Sequence, residues 1–191
     1  MTAESLFRQQ LREWRDCFDA LDALAEDVDR AAKRLSDALE KGGKILTCGN
    51  GGSACDAMHL AEELVGRFRS DRRPLPAVCL VGDATYLTCV ANDYGFDAVF
   101  ERALRALGRP DDVLVGFTTS GRSENVARAF DAARELGVAS IGLLGGDGGV
   151  CRERCDVPIV APGGKSTARV QEVHTLILHT WCEALERRFG A

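Results

Sequence analysis

The sequence predicts an α/β fold, a parallel sheet covered by helices on both faces. Apolar runs of strand length alternate with longer amphipathic runs from residue 42 onward, the pattern of successive strand–helix units. Turns rich in glycine and hydroxyls follow the first and third apolar runs, on the edge of a parallel sheet where ligands bind. The chain has 191 residues, 46% hydrophobic and 28% charged, enough for one ordinary globular domain with a substantial core.

Ahead of the sheet, apolar residues recur at helical spacing between Leu6 and Lys41: Leu11, Trp14, Phe18, Leu21, Leu24, Val28, Ala31, Leu35 and Leu39. This is one long helix or two, ended by Gly42-Gly43. It offers a packing surface for another subunit, or else covers one face of its own sheet. Lys44–Cys48 reads as a buried strand, Gly49–Gly52 as a turn and Ser53–Phe68 as a helix. Pro76–Val81 is the second strand, and Ala84–Leu107 is largely helical. Asp112–Phe117 is the third strand, Thr118–Gly121 its turn and Glu124–Leu136 a helix. Ala139–Leu144 and Val157–Val160 are the last strands, and Thr167–Arg188 closes the chain as a helix. No repeat, low-complexity tract or linker intervenes. Residues 1–191 are therefore expected to form a single domain, with 1–41 as an N-terminal helical segment and 42–191 as the α/β core.

Composition excludes several classes of function. The net charge of −5 argues against a nucleic-acid backbone as partner, since such surfaces carry a basic excess. Arg67, Arg69, Arg72 and Arg73 make a local basic patch, whose blander reading is a solvated loop. Met1–Ser5 lead directly into a charged helix pattern, with no apolar leader and no run long enough for a bilayer. A cytoplasmic protein with no membrane partner is expected. The eight cysteines include no C-x-x-C pair, and several lie inside apolar runs, such as Cys48; these read as small buried hydrophobes of a reducing compartment rather than a disulfide framework. Cys151-x-x-x-Cys155 is a weak metal pair.

The three histidines, His59, His174 and His179, fall in two short segments. Neutral imidazole is a mediocre core residue, and it is useful where protons move or metals bind near neutral pH. His59 and Glu63 are four apart and share a helix face. The first turn, Cys48-Gly49-Asn50-Gly51-Gly52-Ser53-Ala54, lets backbone amides approach an anion at a helix N-terminus, with Ser53 able to cap that helix. The third turn sets Thr118, Thr119, Ser120 and Ser123 within six residues, neutral donors suited to a phosphate monoester. Two such turns on one sheet edge point to a phosphorylated small molecule. Gly49-x-Gly51-x-x-Ala54 also matches the dinucleotide fingerprint, but its acidic partner would be Asp83, later than usual. There is no Gly-Lys-Ser/Thr for a P-loop.

Gly49-Asn50-Gly51-Gly52-Ser53, His59-x-x-x-Glu63, Ala91-Asn92-Asp93, Thr119-Ser120-Gly121-x-Ser123 and Gln171-Glu172-x-His174 with His179 together resemble the sugar isomerase (SIS) domain family. The resemblance covers nearly the whole chain and is closest to members acting on a phosphorylated heptose. It implies a flavodoxin-like three-layer sandwich with a five-stranded parallel sheet, preceded by N-terminal helices. It implies conversion of sedoheptulose 7-phosphate to D-glycero-D-manno-heptose 7-phosphate, the first step toward ADP- or GDP-heptose and glycans such as lipopolysaccharide. It implies a homotetramer with active sites at subunit contacts, and one zinc ion per subunit on His59, Glu63, Gln171 and His179. Substrate contacts carry over to Asn50, Gly51, Gly52, Ser53, Glu63, Asn92, Asp93, Thr118, Thr119, Ser120, Ser123 and Gln171. The chain departs from the family with Thr118 where serine is frequent, and with Ala168 where an acidic residue is frequent.

Aldose–ketose isomerisation moves a proton between C1 and C2 through an enediol. It needs a base for the carbon-bound proton, an acid near the oxygens and stabilisation of charge on oxygen. Glu63 is assigned as base and His179 as partner acid/base. Metal binding lowers the basicity of Glu63, so the two roles compete. Gln171 and His179 are eight apart, roughly 12 Å along a straight helix. The helix start is therefore irregular at Gln171, or the ligands come from two chains; His174 is an alternative contributor or an interface residue. The competing functions are a non-catalytic binding protein of the same fold, of the kind that associates with a replication initiator, and an isomerase of another phosphosugar.

Overall fold

The computed structural model describes residues 5–164 and 166–190; residues 1–4, with which the sequence reading begins, lie outside the described residues. Among the described residues, β1 (Ile45–Gly49), β2 (Ala77–Cys79), β3 (Val113–Thr118), β4 (Ala139–Leu144) and β5 (Val157–Val160) form one sheet in the order β2-β1-β3-β4-β5. Every pairing is parallel, with Gly49 beside Phe117 and Thr118 beside Leu144. This is the flavodoxin-like doubly wound order, and its switch point lies between β1 and β3.

Each strand sends successive side chains to opposite faces, so β1 splits its apolar residues between two cores. Ile45 packs with α2 (Ala25–Glu40), α3 (Gly52–Val65) and α7 (Thr167–Phe189). Leu46 and Cys48 pack with α4 (Ala84–Tyr94), α5 (Val99–Leu107) and α6 (Glu124–Leu136). Trp181 of α7 is fully buried and donates its Nε1–H to Val28 O at 3.0 Å, pinning α7 to α2.

The leading amphipathic run divides into α1 (Leu6–Phe18) and α2, joined through a 3-10 turn at Leu21–Leu24. Only α2 covers the sheet. No residue of α1 is buried, and Phe7, Leu11, Trp14 and Phe18 form an exposed stripe along it. The helix expected over Ser53–Phe68 stops at Val65, because Gly66 follows and Arg72 takes its last carbonyls, donating to Leu64 O at 2.9 Å and Glu63 O at 2.5 Å. The second strand is shorter than Pro76–Val81, since Gly82 N turns back to Cys79 O. The helical run expected over Ala84–Leu107 breaks at Gly95, whose φ of 86° no L residue adopts cheaply. No helix among the described residues is long and apolar enough to cross a membrane.

Candidate active site

Adjacent strands β1 and β3 deliver the two expected turns side by side. The turns are stitched together by a reciprocal amide pair. Asn50 Nδ2 donates to Asn125 Oδ1 at 2.8 Å, and Asn125 Nδ2 to Asn50 Oδ1 at 2.9 Å. Asn125 was not among the expected site residues; only the contact reveals it. Gly51 stands at the N-cap of α3 with φ 56° and no side-chain cap. Ser53, expected as that cap, is instead inside the helix and buried, because glycine supplies the backbone shape the turn needs. Gly51 and Gly52 remain exposed.

In the third turn, Thr118 Oγ1 lies 2.9 Å from Ser123 Oγ and 3.4 Å from Ser120 Oγ. Ser123 is the N-cap of α6, yet its side chain makes no capping bond. Three hydroxyls therefore cluster at the N-terminus of α6, a place that favours an anion. Thr119 is half-buried and Ser120 exposed at its mouth. Gly121 interlocks this turn with the next loop, for a Cβ there would lie 2.1 Å from Gly148 O.

The helices α3 and α7 leave the sheet in parallel and meet in three layers, about one turn apart. Gln171 lies against Gly52, where a Cβ would sit 2.0 Å from its Nε2. Thr175 Oγ1 donates to Asp56 Oδ1 at 3.3 Å. His179 then meets His59 and Glu63. His59 Nε2 is 3.4 Å from Glu63 Oε1 and 3.4 Å from His179 Nε2, and all three candidate ligand atoms lie within 4.8 Å of one another. Ligands about 2.05 Å from a tetrahedral zinc are about 3.3 Å apart, so both short separations match the edges of such a site. Two imidazole nitrogens facing each other also need a cation or a proton between them. Burial, then the neighbouring His59, lowers the pKa of His179 and favours its neutral, ligating form.

The expected residues do not all converge. α7 is continuous through Gln171, so the irregular helix start is not found. Gln171 stays at the turn layer, two layers from His179. His174 is neither a further ligand nor an interface residue. It is fully buried, its Nε2 is 3.3 Å from Leu144 O, and burial pushes its pKa down to about 4. It pins α7 beneath the carboxyl end of β4. Asn92 and Asp93 are exposed at the end of α4, with Asn92 Nδ2 donating to Asp93 Oδ1 at 2.8 Å. Asp83, the decoy for a ribose contact, caps α4 by accepting from Thr85 N and Tyr86 N. Cys151 and Cys155 are buried thiols pushed up to about 11 and about 12, which disfavours the thiolate form a metal needs. Cys48, Cys151, Cys155 and Cys182 are buried, as expected of the cysteines in apolar runs, while Cys55 and Cys89 are exposed. Helical spacing from Gly52 to His59 could have flagged Asp56, which sits between them on the same face.

Asp56 carries a testable consequence. It is buried, its Oδ2 has no partner, and desolvation raises its pKa to about 6. Between the usual carboxylate value and about 6, the folded state holds a proton the unfolded chain has released. Stability contributed at this group therefore falls as pH rises through that window. Asp56→Asn is expected to stabilise the chelator-treated protein by about 1–3 kcal/mol at pH 8 and by nothing measurable at pH 3.5, read by urea denaturation. Equal gains at both pH values would contradict a strained buried carboxylate.

Comparison with known proteins agrees with this fold. A family model described as SIS domain matches residues 10–145. A phosphoheptose isomerase of Geotalea daltonii is 52% identical over 168 residues, 87% of each chain. The structure of phosphoheptose isomerase GmhA from Neisseria gonorrhoeae superposes with a TM-score of 0.83 at 41% identity, over 95% of each chain. A phosphoheptose isomerase structure from Francisella tularensis gives a TM-score of 0.87 at 37% identity, over 95% of this chain and 94% of that one.

Proposed function

The chain belongs to the SIS domain family and, within it, to the phosphoheptose isomerases, and from that premise we propose which of its residues act and what completes the site. The reaction is the isomerisation of sedoheptulose 7-phosphate to D-glycero-D-manno-heptose 7-phosphate in heptose biosynthesis. The observation that carries the assignment of roles is the parallel α3–α7 pair, which begins at the phosphate-type turns and brings His59, Glu63 and His179 together farther along.

Thr118, Thr119, Ser120 and Ser123 hold the phosphate, with the α6 amides behind them. Asn50, Gly51, Gly52 and Ser53 form the wall of the neighbouring turn, and Gln171, Asn92 and Asp93 hydrogen-bond the sugar hydroxyls. Glu63 removes the C1 proton of the ketose and returns it at C2. His179 moves the proton between the C1 and C2 oxygens, so neither oxygen carries a full charge. His59, Glu63 and His179 are a donor set for zinc, with Gln171 as the fourth ligand. The bound ion would supply Lewis-acid stabilisation of negative charge on the substrate oxygens. A carboxylate oxygen held by a cation is a weaker base, so Glu63 abstracts best when its charge is not engaged by the metal.

One chain alone does not bring Gln171 to the triad. We assign the fourth ligand to Gln171 of a neighbouring copy, in a homotetramer with active sites at subunit contacts. Three features support this. Met58 and Val65 of α3 and Leu176 of α7 are exposed apolar residues near the triad, α1 keeps its apolar stripe uncovered, and Gln171 lies at the wrong layer. The remaining expectations, a single domain over 1–191 working in the cytoplasm, complete the proposal.

The test is turnover of sedoheptulose 7-phosphate by the purified protein, with and without a chelator, alongside its mass in solution. Chelation is expected to abolish turnover and added zinc to restore it, in a tetramer. Absence of turnover in both metal states would move the weight to a binding protein of this fold.

A further inference from the structure

We propose that residues 66–73 form a strap that fixes the His179 imidazole, with Phe68 as its positioning residue. The inference rests on the reading of His179 as acid/base and metal ligand given above.

The Phe68 ring lies 5.5 Å from the His179 ring, tilted by 34°, while His59 meets the same imidazole edge-on at 4.9 Å. The last torsion of a histidine side chain is broad, so neighbours must hold the ring plane. Between these two rings His179 is held on two sides. Phe68 is itself held: the Arg69 guanidinium stands 5.3 Å from the Phe68 ring centre and pairs with Glu183 of α7 at 3.3 Å. The backbone is anchored too. Glu186 of α7 accepts from Arg69 N and Ser70 N, each at 2.9 Å. Arg72 donates to Glu63 O and Leu64 O at the end of α3. Every anchor lies on one of the two helices that carry the triad, so strap and site move as one body.

Within the basic patch, Arg67, Arg69 and Arg73 stay exposed, as a solvated loop would have them, while Arg69 reaches Glu183 and Arg72 spends its guanidinium on the α3 carbonyls. Phe68 is partly buried against the larger core, yet its ring contact is with an imidazole that the reaction uses. A residue kept only for packing would have no reason to affect catalysis apart from stability.

The experiment compares Phe68→Ala, Phe68→Tyr, Glu186→Ala and His179→Gln in the whole protein. It reads kcat, KM, melting temperature and zinc affinity by competition with a chromogenic chelator. Phe68→Ala is expected to lower kcat about tenfold with KM changed less than about twofold, and to weaken zinc binding several-fold. Phe68→Tyr keeps the ring and should return kcat to within about twofold of the parent. Glu186→Ala loosens the strap without touching the site and should lower kcat about threefold, which decides the matter if Phe68→Ala fails to fold. Parent-like kcat and zinc affinity in Phe68→Ala, or in Glu186→Ala should it alone fold, with His179→Gln inactive, would overturn the strap and leave the role of His179 standing. Parent-like kcat in His179→Gln would instead overturn the reading on which the strap rests.

Discussion

Glu63→Gln is expected to lower kcat about a thousandfold, the range set by losing a positioned general base, while the fold survives. The side chains are isosteric, Glu63 is only partly buried, and its carboxylate approaches His59 at 3.4 Å, a contact an amide also makes. The melting temperature should therefore move by no more than a few degrees. KM should change little, because the phosphate turns are untouched. Zinc content of the variant separates two causes. Full zinc with lost turnover means a lost base; lost zinc with activity regained at high metal concentration means a lost ligand. Retention of more than a tenth of the parent kcat would remove Glu63 from both roles.

Gly121→Ala is expected to have the largest effect on stability, at about 3 kcal/mol or more. A left-handed backbone costs an alanine about 1–2 kcal/mol, and Gly121 has φ 67°. The new methyl would also lie 2.1 Å from Gly148 O, against backbone rather than a flexible side chain that could swing aside. Overpacking of that kind costs about 1–3 kcal/mol more. For a chain of this size the melting temperature should fall by about 6–12 °C. Displacing the turn also separates the Thr118, Ser120 and Ser123 hydroxyls, so KM for the phosphorylated ketose should rise about tenfold or more. Gly42→Ala is the control: φ is 83° but nothing lies within 4 Å of the added methyl, so only the backbone cost remains. Equal losses from the two substitutions would show that the two loops do not interlock.

Much of the fold was legible because its elements are locally consistent. Ala139–Leu144, Val157–Val160 and Glu124–Leu136 fall where the apolar pattern places them. The misplaced boundaries have separate local causes: Gly66 and Arg72 end α3, the turn at Gly82 shortens β2, and Gly95 breaks the run over Ala84–Leu107. Val65 ends α3 because Gly66 follows and the Arg72 guanidinium, eight positions on from Leu64, takes the last carbonyls, a competition of which periodicity carries no trace. The site was legible in part. His59 and Glu63 are neighbours by helix geometry alone, whereas Asn125 and Phe68 acquire meaning only from partners 75 and 111 positions away. His174 misled because a histidine in a suggestive segment says nothing about depth, and α7 turns this one into the core.

The sequence by itself determined the kinds of element, the two anion-type turns and the helix face shared by His59 and Glu63. These follow from short-range sterics and from spacing along one helix or one strand. Only the tertiary structure decided that α3 and α7 run parallel, that His174 lies in the core against Leu144 O, and that Gln171 stays two layers from His179. Those outcomes depend on which helix the sheet sets beside which. That choice is made by packing over the whole core, where contacts far apart in the chain are settled together.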